Sequence, residues 1–432
     1  MAEGGVQRDR SVQNGGYRSY RRGVDVLPIV LSAVFCLVIL PACSNLGGPD
    51  YQRPHTPEKA DWSSDADTGV SAEAVIQPDW WTGFGDPYLN ELIGRAIADN
   101  IDIRILAARS GVAKAAIGQA EAGLLPTLSG GAGTDTLKSS GSSARTQYSV
   151  ASDVIWEPDI WGKVRKGVDA QKAEYKATEA DWRAGYLVMV SDVASAYFQI
   201  RQFDEQIDQQ QKTLERNRQI FAIYELMHGE GLVPRTQVLQ QQAELNRLQT
   251  GLLDLERLRK LTENGLATLL GMPADSLSVP KAGLRSVRSI TVPAGLPSDL
   301  VSRRPDIISA EYRVLQAYNL AGQARLERLP SVSLTGRGGS ASFDLVDLLK
   351  SWTFGLSSLA SIPIFDPNIS ARIKVSEAQT GVVEEEYRRT VLGAFEEVEN
   401  ALTSLAIRKA QTAELSSRRR NLVTVSEQVN AQ

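Results

Sequence analysis

The chain repeats itself across about half of its 432 residues. Pro126 in "GLLPTLSG" matches Pro330 in "ERLPSVSLTG", an offset of 204. Asp102–Ile103 match Asp306–Ile307, and Ala120 matches Ala324, at the same spacing. After one inserted residue the offset is 205: Trp182 matches Tyr387, Val193 matches Val398 and Ala196 matches Ala401. A unit this long exceeds the roughly 20–50 residues of a solenoid repeat. It is a duplicated half-protein, so any function has to come from what two such halves build together.

The N-terminus carries an export pattern. Arg18, Arg21 and Arg22 precede the apolar run "VLPIVLSAVFCLVIL", which ends in Leu40-Pro41-Ala42-Cys43. That run contains Pro28 and is shorter than the roughly 18–20 residues a spanning helix needs. The site resembles a bacterial lipobox, with cleavage between Ala42 and Cys43 and a covalent lipid on Cys43. The alternative is an ordinary signal peptide with an incidental cysteine, and the long basic leader leaves the true start codon open. Cleavage removes five of 47 basic and three of 51 acidic residues and leaves 42 against 48, a net −6. Such a balance argues against a nucleic-acid partner. Cys36 leaves with the leader, so no internal disulfide is possible, and an exported chain of this kind relies on packing and assembly.

The organisation reads as a signal peptide (1–42), a tether (43–84), a first repeat (85–297) and a second, truncated repeat (298–432). The tether is rich in Pro, Gly, Asp and Ser, with Trp62, Trp80 and Trp81 as aromatic anchors. Repeat one comprises a helix (86–125), a β-hairpin (127–157), a long helical hairpin (160–270) and a linker (271–297). Repeat two comprises a helix (303–329), a β-hairpin (331–362) and a long helix (366–432). In the strands apolar and polar residues alternate. Tyr148, Val150, Val154 and Trp156 share one face, with Gln147, Ser149 and Asp153 on the other; Trp352, Phe354, Leu356, Ala360 and Ile362 alternate with Thr353, Gly355, Ser357 and Ser361. At about 10 residues each segment is long enough to cross a bilayer as a tilted strand. A soluble hairpin with one buried face fits the pattern equally.

The helical stretches are long. No proline occurs from Gly162 to Met227, and Tyr186, Val193, Ile200, Ile207, Leu214 and Phe221 recur every seven residues. After "HGEGLVP", Val238, Leu245 and Leu252 keep the heptad, as do Leu248, Leu255 and Leu269. Sustained heptads predict a coiled-coil seam, here a projecting antiparallel hairpin roughly 100 Å long at 1.5 Å per residue. The polar run "RQFDEQIDQQQKTLERNRQ" is expected to be a solvated face. Repeat two starts in the same way after "IPIFDPN", but "SEQVNAQ" stops where the turn is expected, and the internal comparison leads to the expectation of a further return helix of about 35–45 residues.

Four membrane-length strands cannot close a barrel, which needs about eight or more. An open edge in lipid leaves unpaired backbone groups costing several kcal/mol each. If the strands are in a membrane the chain must oligomerise, and a shared barrel continued by a helical tube is a conduit that needs no chemistry. The fold class is therefore α+β: internally duplicated helical hairpins forming an α-barrel, plus four transmembrane strands per chain.

Several motifs then point one way. "CSNLGGPDYQRP", "DVIWEPDIWGKVR", "SRRPDI" followed by "ARLERLPSVSLTG", and "IPIFDPNISARI" followed by "AFEEVENAL" are similar, in order, to the lipoprotein (NodT-like) branch of TolC-type outer-membrane efflux channels. The resemblance covers nearly everything from Cys43 to Gln432. It implies a homotrimer with a twelve-strand barrel, a twelve-helix periplasmic tunnel and an equatorial belt. It further implies docking onto a periplasmic adaptor and an inner-membrane pump, commonly of the resistance-nodulation-division class, with passive export of small molecules. Ser44 after the lipidated cysteine permits passage to the outer membrane. Gly231, Leu232 and Val233 at the hairpin turn become candidates for adaptor contact.

Two departures stand out. Pro158 replaces an apolar residue and is expected to end the preceding strand early. The family's gate residues lie beyond the second turn, and here the equivalent positions of the first turn are Gln237 and Gln240 rather than carboxylates. Without the last helix the tunnel lacks one stave in four, so the 432 residues alone are expected to form no stable, gated trimer.

Other features carry less. Only His55 and His228 exist, which disfavours histidine triads and multi-histidine metal sites, and no cofactor or catalytic spacing is present. "WGK" around Lys163 lacks the glycine of a phosphate loop. Pro305 with Asp306 is ordinary helix-start chemistry, and Glu384–Glu386 is a solvated face. Two other readings remain: the duct of a type I protein secretion system, and a periplasmic adaptor lipoprotein, which would show one hairpin flanked by lipoyl-like halves.

Overall fold

The computed structural model describes residues 48, 51–56, 62, 79–284, 288, 290, 301 and 303–430. Residues Asp50–Gln432 form one unit. A 3₁₀ turn at Trp80–Phe84 leads into α1 (Pro87–Asp99) and α2 (Ile101–Ala122), then β1 (Thr127–Leu137) and β2 (Arg145–Trp156). The hairpin α3 (Lys163–Gly229) and α4 (Arg235–Leu269) follows. Repeat two contributes α5 (Pro305–Leu326), β3 (Ser331–Ser342), β4 (Thr353–Ser361) and α6 (Pro367–Asn430).

The expected single helix over 86–125 is two helices. Asn100 leaves the helical region (φ −60, ψ 126), accepts from Ile103 N–H at 2.9 Å and donates from Nδ2 to Leu269 O at 2.8 Å. Its side chain satisfies one donor of the new helix while anchoring the kink to the end of α4. The duplication survives there: Arg304, 204 residues on, is the equally extended N-cap of α5, before Pro305. Arg304 pairs with Asp306 at 2.9 Å and with Glu397, and Asp306 accepts from Ile307 N–H, the structural role expected for this motif.

Tight packing joins the helices. Helix α3 packs against α1, α2, α4 and α5, and α5 also packs on α6. At Gly185 a Cβ would lie 2.3 Å from Leu106 Cδ1, so α2 and α3 approach closely there and a larger residue would require the Leu106 side chain to shift. The repeats are tied by Asp181 of α3, which accepts from Ser309 Oγ at 2.5 Å and pairs with Arg313, both on α5. Along the hairpin the heptads form the seam: Ile207 and Leu214 pack with Leu245, Leu248 and Leu252, flanked by Phe221 and Leu255.

Not all of the polar run is solvated. Arg201 and Asp204 are buried at the hairpin root. Arg201 donates to Tyr197 Oη at 2.8 and 2.6 Å and to Pro280 O. Arg259 donates to Asp204 at 2.6 Å, Glu263 at 2.7 Å and Val279 O at 2.8 Å. Glu263 and Asp204 in turn accept from Val279 and Ala282 N–H. Charges this deep persist because each has partners, and the cluster pins residues 279–282 to the helices. Glu384 likewise is not simply solvated: it accepts from Tyr318 Oη at 2.9 Å.

The N-terminal segment lies on repeat two. Tyr51 meets the Tyr318 ring edge-on at 5.5 Å and Trp62 meets Phe395 at 6.2 Å. Arg53 pairs with Glu311, and Arg388 donates to His55 O at 3.1 Å. Trp80 and Trp81 instead pack into the repeat-one core, so all three anticipated aromatic anchors are engaged, on two different cores.

Candidate functional site

The four strands form one antiparallel sheet in the order β1-β2-β3-β4. Thr127 pairs with Ile155 in the first hairpin and Ser331 with Ser361 in the second. The first strands are thus offset by 204 and the second by 206, so the insertion within the sheet is two residues. An even insertion preserves which side chains face which way, because the strand period is two.

One face is apolar. It carries Leu128, Tyr148, Val150, Val154, Trp156, Val332, Leu334, Phe354, Leu356 and Ala360, with Val154 registered between Leu128 and Gly336. Phe354 is 85% and Leu356 88% exposed. The opposite face holds Ser129, Gln147, Ser149, Asp153, Thr335, Arg337 and Ser357, with Leu137, Ile155 and Leu359 as apolar exceptions. On it Arg337 Nε lies 2.5 Å from Asp153 Oδ1 across directly paired backbone positions. Strand β2 runs on to Trp156, paired with Leu334, so Pro158 does not shorten it; proline needs no ladder bond once past the strand end. Both outer edges, of β1 and of β4, have no strand partner among the described residues. No helix among the described residues is long and apolar enough to cross a membrane.

The strand-to-helix junctions are braced. Trp156 Nε1 donates to Leu124 O at 3.0 Å, and Trp161 Nε1 to Pro330 O at 2.6 Å, which ties the two repeats at the sheet's root. Asp159 accepts from Val164 and Arg165 N–H at 3.0 and 2.9 Å and so caps α3, whose own N-cap, Gly162, has no side chain to do so. Burial alone pushes the Asp159 carboxyl up, but the two backbone N–H groups and the Arg165 guanidinium outweigh it and hold it below the usual carboxylate range.

At the far end the hairpin turns at Glu230–Pro234. Gly231 has φ +73, a conformation that favours glycine, and its N–H donates to His228 O at 3.0 Å. Leu232 N–H donates to Met227 O at 2.8 Å, and His228 Nδ1 lies 2.9 Å from Val233 O. These bonds hold Leu232 out, 70% exposed, while Val233 is half-buried. Gln237 and Gln240 are exposed just beyond. The tip residues singled out from sequence are thus brought together; Ala42 and Cys43 lie outside the described residues. Among the described residues no cluster of His, Cys, Asp or Glu could hold a metal ion.

The geometry is a membrane-length ribbon on long helical staves, and comparison with known proteins agrees. Residues 92–272 and 296–431 match the model of the outer membrane efflux protein family. The chain is 31% identical over 390 residues to the solvent efflux pump outer membrane protein SrpC of Pseudomonas putida, covering 86% of this chain and 82% of that one. It is 29% identical over 400 residues to the cation efflux system protein CusC of Escherichia coli, covering 90% and 85%. Among solved structures it resembles the open state of the Neisseria gonorrhoeae MtrE outer membrane channel, with a TM-score of 0.75, 28% identity and coverage of 84% and 83%. The chain belongs to the outer membrane efflux protein family and is an outer-membrane efflux channel subunit.

Proposed function

We propose that three copies of the protein made from its own gene close into a twelve-stranded barrel, continued by their helical hairpins as a duct through the periplasm. The observation that carries this is the pair of edges without a strand partner among the described residues, on a sheet with one apolar face. In lipid each unpaired ladder group costs several kcal/mol, and pairing β4 of one copy with β1 of the next removes both edges at once. The polar face then lines water. Cys43 carries a covalent lipid that holds the tether at the outer membrane, and Tyr51 and Trp62 bind that tether to repeat two. The tip at Gly231, Leu232 and Val233 receives a periplasmic adaptor, which joins the duct to an inner-membrane pump of the resistance-nodulation-division class. The duct is passive: small molecules leave through it, and selection lies with the pump.

The protein processed from its own gene and extracted in detergent should run as three copies; a monomer would sink the barrel. Leu232→Glu should then abolish efflux in cells without lowering trimer levels, and unimpaired efflux would remove the tip from the adaptor contact.

A further inference from the structure

The polar face of the ribbon is built almost wholly from small or uncharged side chains. Within the four strands its charged residues are Asp135, Arg145, Asp153 and Arg337, two of each sign. Arg145 sits at the strand end, its guanidinium 5.7 Å from the Phe343 ring centre, and Asp135 pairs with Gln147 near the end of β1. Asp153 and Arg337 differ from both: they stand directly opposite one another well inside the ladder, at 2.5 Å.

The surroundings favour a role in the aqueous space over a role in folding. Arg337 is 72% exposed and Asp153 28%, and half-solvated pairs contribute little to stability. The backbone partner of Arg337 on β4 is Gly355, and no atom lies within 4 Å of where a Gly355 Cβ would be. Thr335 and Gly339 flank it along its own strand. Arg337 is therefore the one arginine of this face well inside the described strands, on open ground, with one carboxylate to neutralise it.

Resting on the trimeric duct proposed above, we infer that the Asp153–Arg337 pairs form a ring of three at one height in the barrel and are its charge-balancing station, the place where neutrality towards charged cargo is set. Twelve strands about 4.8 Å apart, tilted by about 45°, enclose a lumen of roughly 13 Å backbone radius. At 0.01 M salt the screening length is about 30 Å, so an unbalanced ring would act across the whole opening; at 1 M it is about 3 Å and would not. As built, the ring has no net charge, and the barrel passes cargo of either sign. Removing one partner leaves three like charges facing the stream.

The test is ion selectivity of the full-length protein in planar bilayers under a KCl gradient at low salt. The wild type should show a K⁺/Cl⁻ permeability ratio within about twofold of unity. Arg337→Ser should raise that ratio roughly threefold or more by concentrating cations, and Asp153→Ser should lower it by a similar factor. The double variant should return to the wild-type ratio, and all differences should fade at 1 M KCl. Arg337→Lys, which keeps charge while losing the guanidinium fork, should stay near wild type even if the serine variants assemble poorly. Conducting channels whose single variants keep the wild-type ratio, or whose altered ratio persists at 1 M salt, would overturn the inference alone. A wild-type protein with no conductance would overturn the trimeric duct and this inference with it.

Discussion

Each repeat has a core centred on a fully buried tyrosine, and the two tyrosines are treated in opposite ways. In repeat one the Tyr197 hydroxyl donates to Asp86 and accepts from Arg201, inside a cluster that continues through Asp204, Arg259 and Glu263. In repeat two the Tyr387 hydroxyl has no hydrogen-bond partner among the described residues, and neither has that of Tyr51 in the tether segment. Repeat one is closed by its own preceding elements, the turn at Trp81 and helix α1. Repeat two is closed by the chain's distant N-terminal segment. Duplication copied the helix pair but not its cover. The copy with a local cover could evolve a satisfied polar network, whereas the copy covered by a tether relies on aromatic packing and an exposed ion pair.

The largest test of that contrast is Arg259→Met. It leaves Asp204 and Glu263, each with a side chain only 4% exposed, without their hydrogen-bonded cation, with only Arg201 and Lys260 at 3.8 Å in its place. Stranding buried carboxylates should cost about 3–5 kcal/mol in urea unfolding followed by tryptophan fluorescence. The matching change in repeat two, Arg53→Met, removes a pair whose members are 47% and 26% exposed and should cost under about 1 kcal/mol. Equal losses would mean that the two cores are not built differently.

A finer test removes only oxygen atoms. Tyr197→Phe breaks bonds to Asp86 and Arg201 and should cost about 1–3 kcal/mol, because charged groups lose a buried partner. Tyr387→Phe deletes a hydroxyl that has no partner among the described residues and should be neutral or stabilising by about 1 kcal/mol. Alkali should report the same asymmetry. Burial first, and then the bond to Asp86, push Tyr197 up to about 12 from an ordinary value near 10. A folded-state value raised in this way contributes stability that is complete below about pH 10 and is lost as pH rises towards 12. Tyr197→Phe should lack that component of the pH profile; if it does not, the network does not hold the proton.

Much of this was legible in sequence because it is local. Apolar residues every seven positions predicted the seam later seen at Ile207, Leu214, Leu245 and Leu252, and alternation predicted which side chains of β2 share a face. Proline and glycine around "HGEGLVP" marked the tip for the same reason: turn chemistry is written in a few adjacent residues. The misses needed distant partners. Asn100 reads as one polar residue in a long helical pattern until Leu269 O supplies what its amide binds. Arg201 and Asp204 look solvated until residues 279–282 cover them. Asp153 and Arg337 are 184 residues apart and meet only through strand register, which periodicity does not reveal. Cys43 is a motif outside the described residues and stands on the lipobox pattern alone.

The smallest effect distinguishes the two starts of the long helices. Asp159 caps α3 from three residues upstream of Gly162, with a side chain 6% exposed and Arg165 beside it. Asp366 caps α6 through a single bond to Asn368 N–H at 2.8 Å, in an exposed setting. Asparagine keeps an acceptor oxygen but loses the charge. Asp366→Asn should therefore change stability by only a few tenths of a kcal/mol, since the two residues cap about equally well. Asp159→Asn should cost about 1 kcal/mol, because the helix dipole and Arg165 lose their anion. The pH dependence follows from the sign: with its folded-state value held down, Asp159 stabilises above the ordinary carboxylate range near 4 and loses that contribution as pH falls through the lower folded value. The gap between wild type and Asp159→Asn should accordingly narrow towards pH 2. A gap that stays constant from pH 7 to pH 2 would show that Asp159 acts through shape rather than charge, and that the two helix starts are equivalent after all.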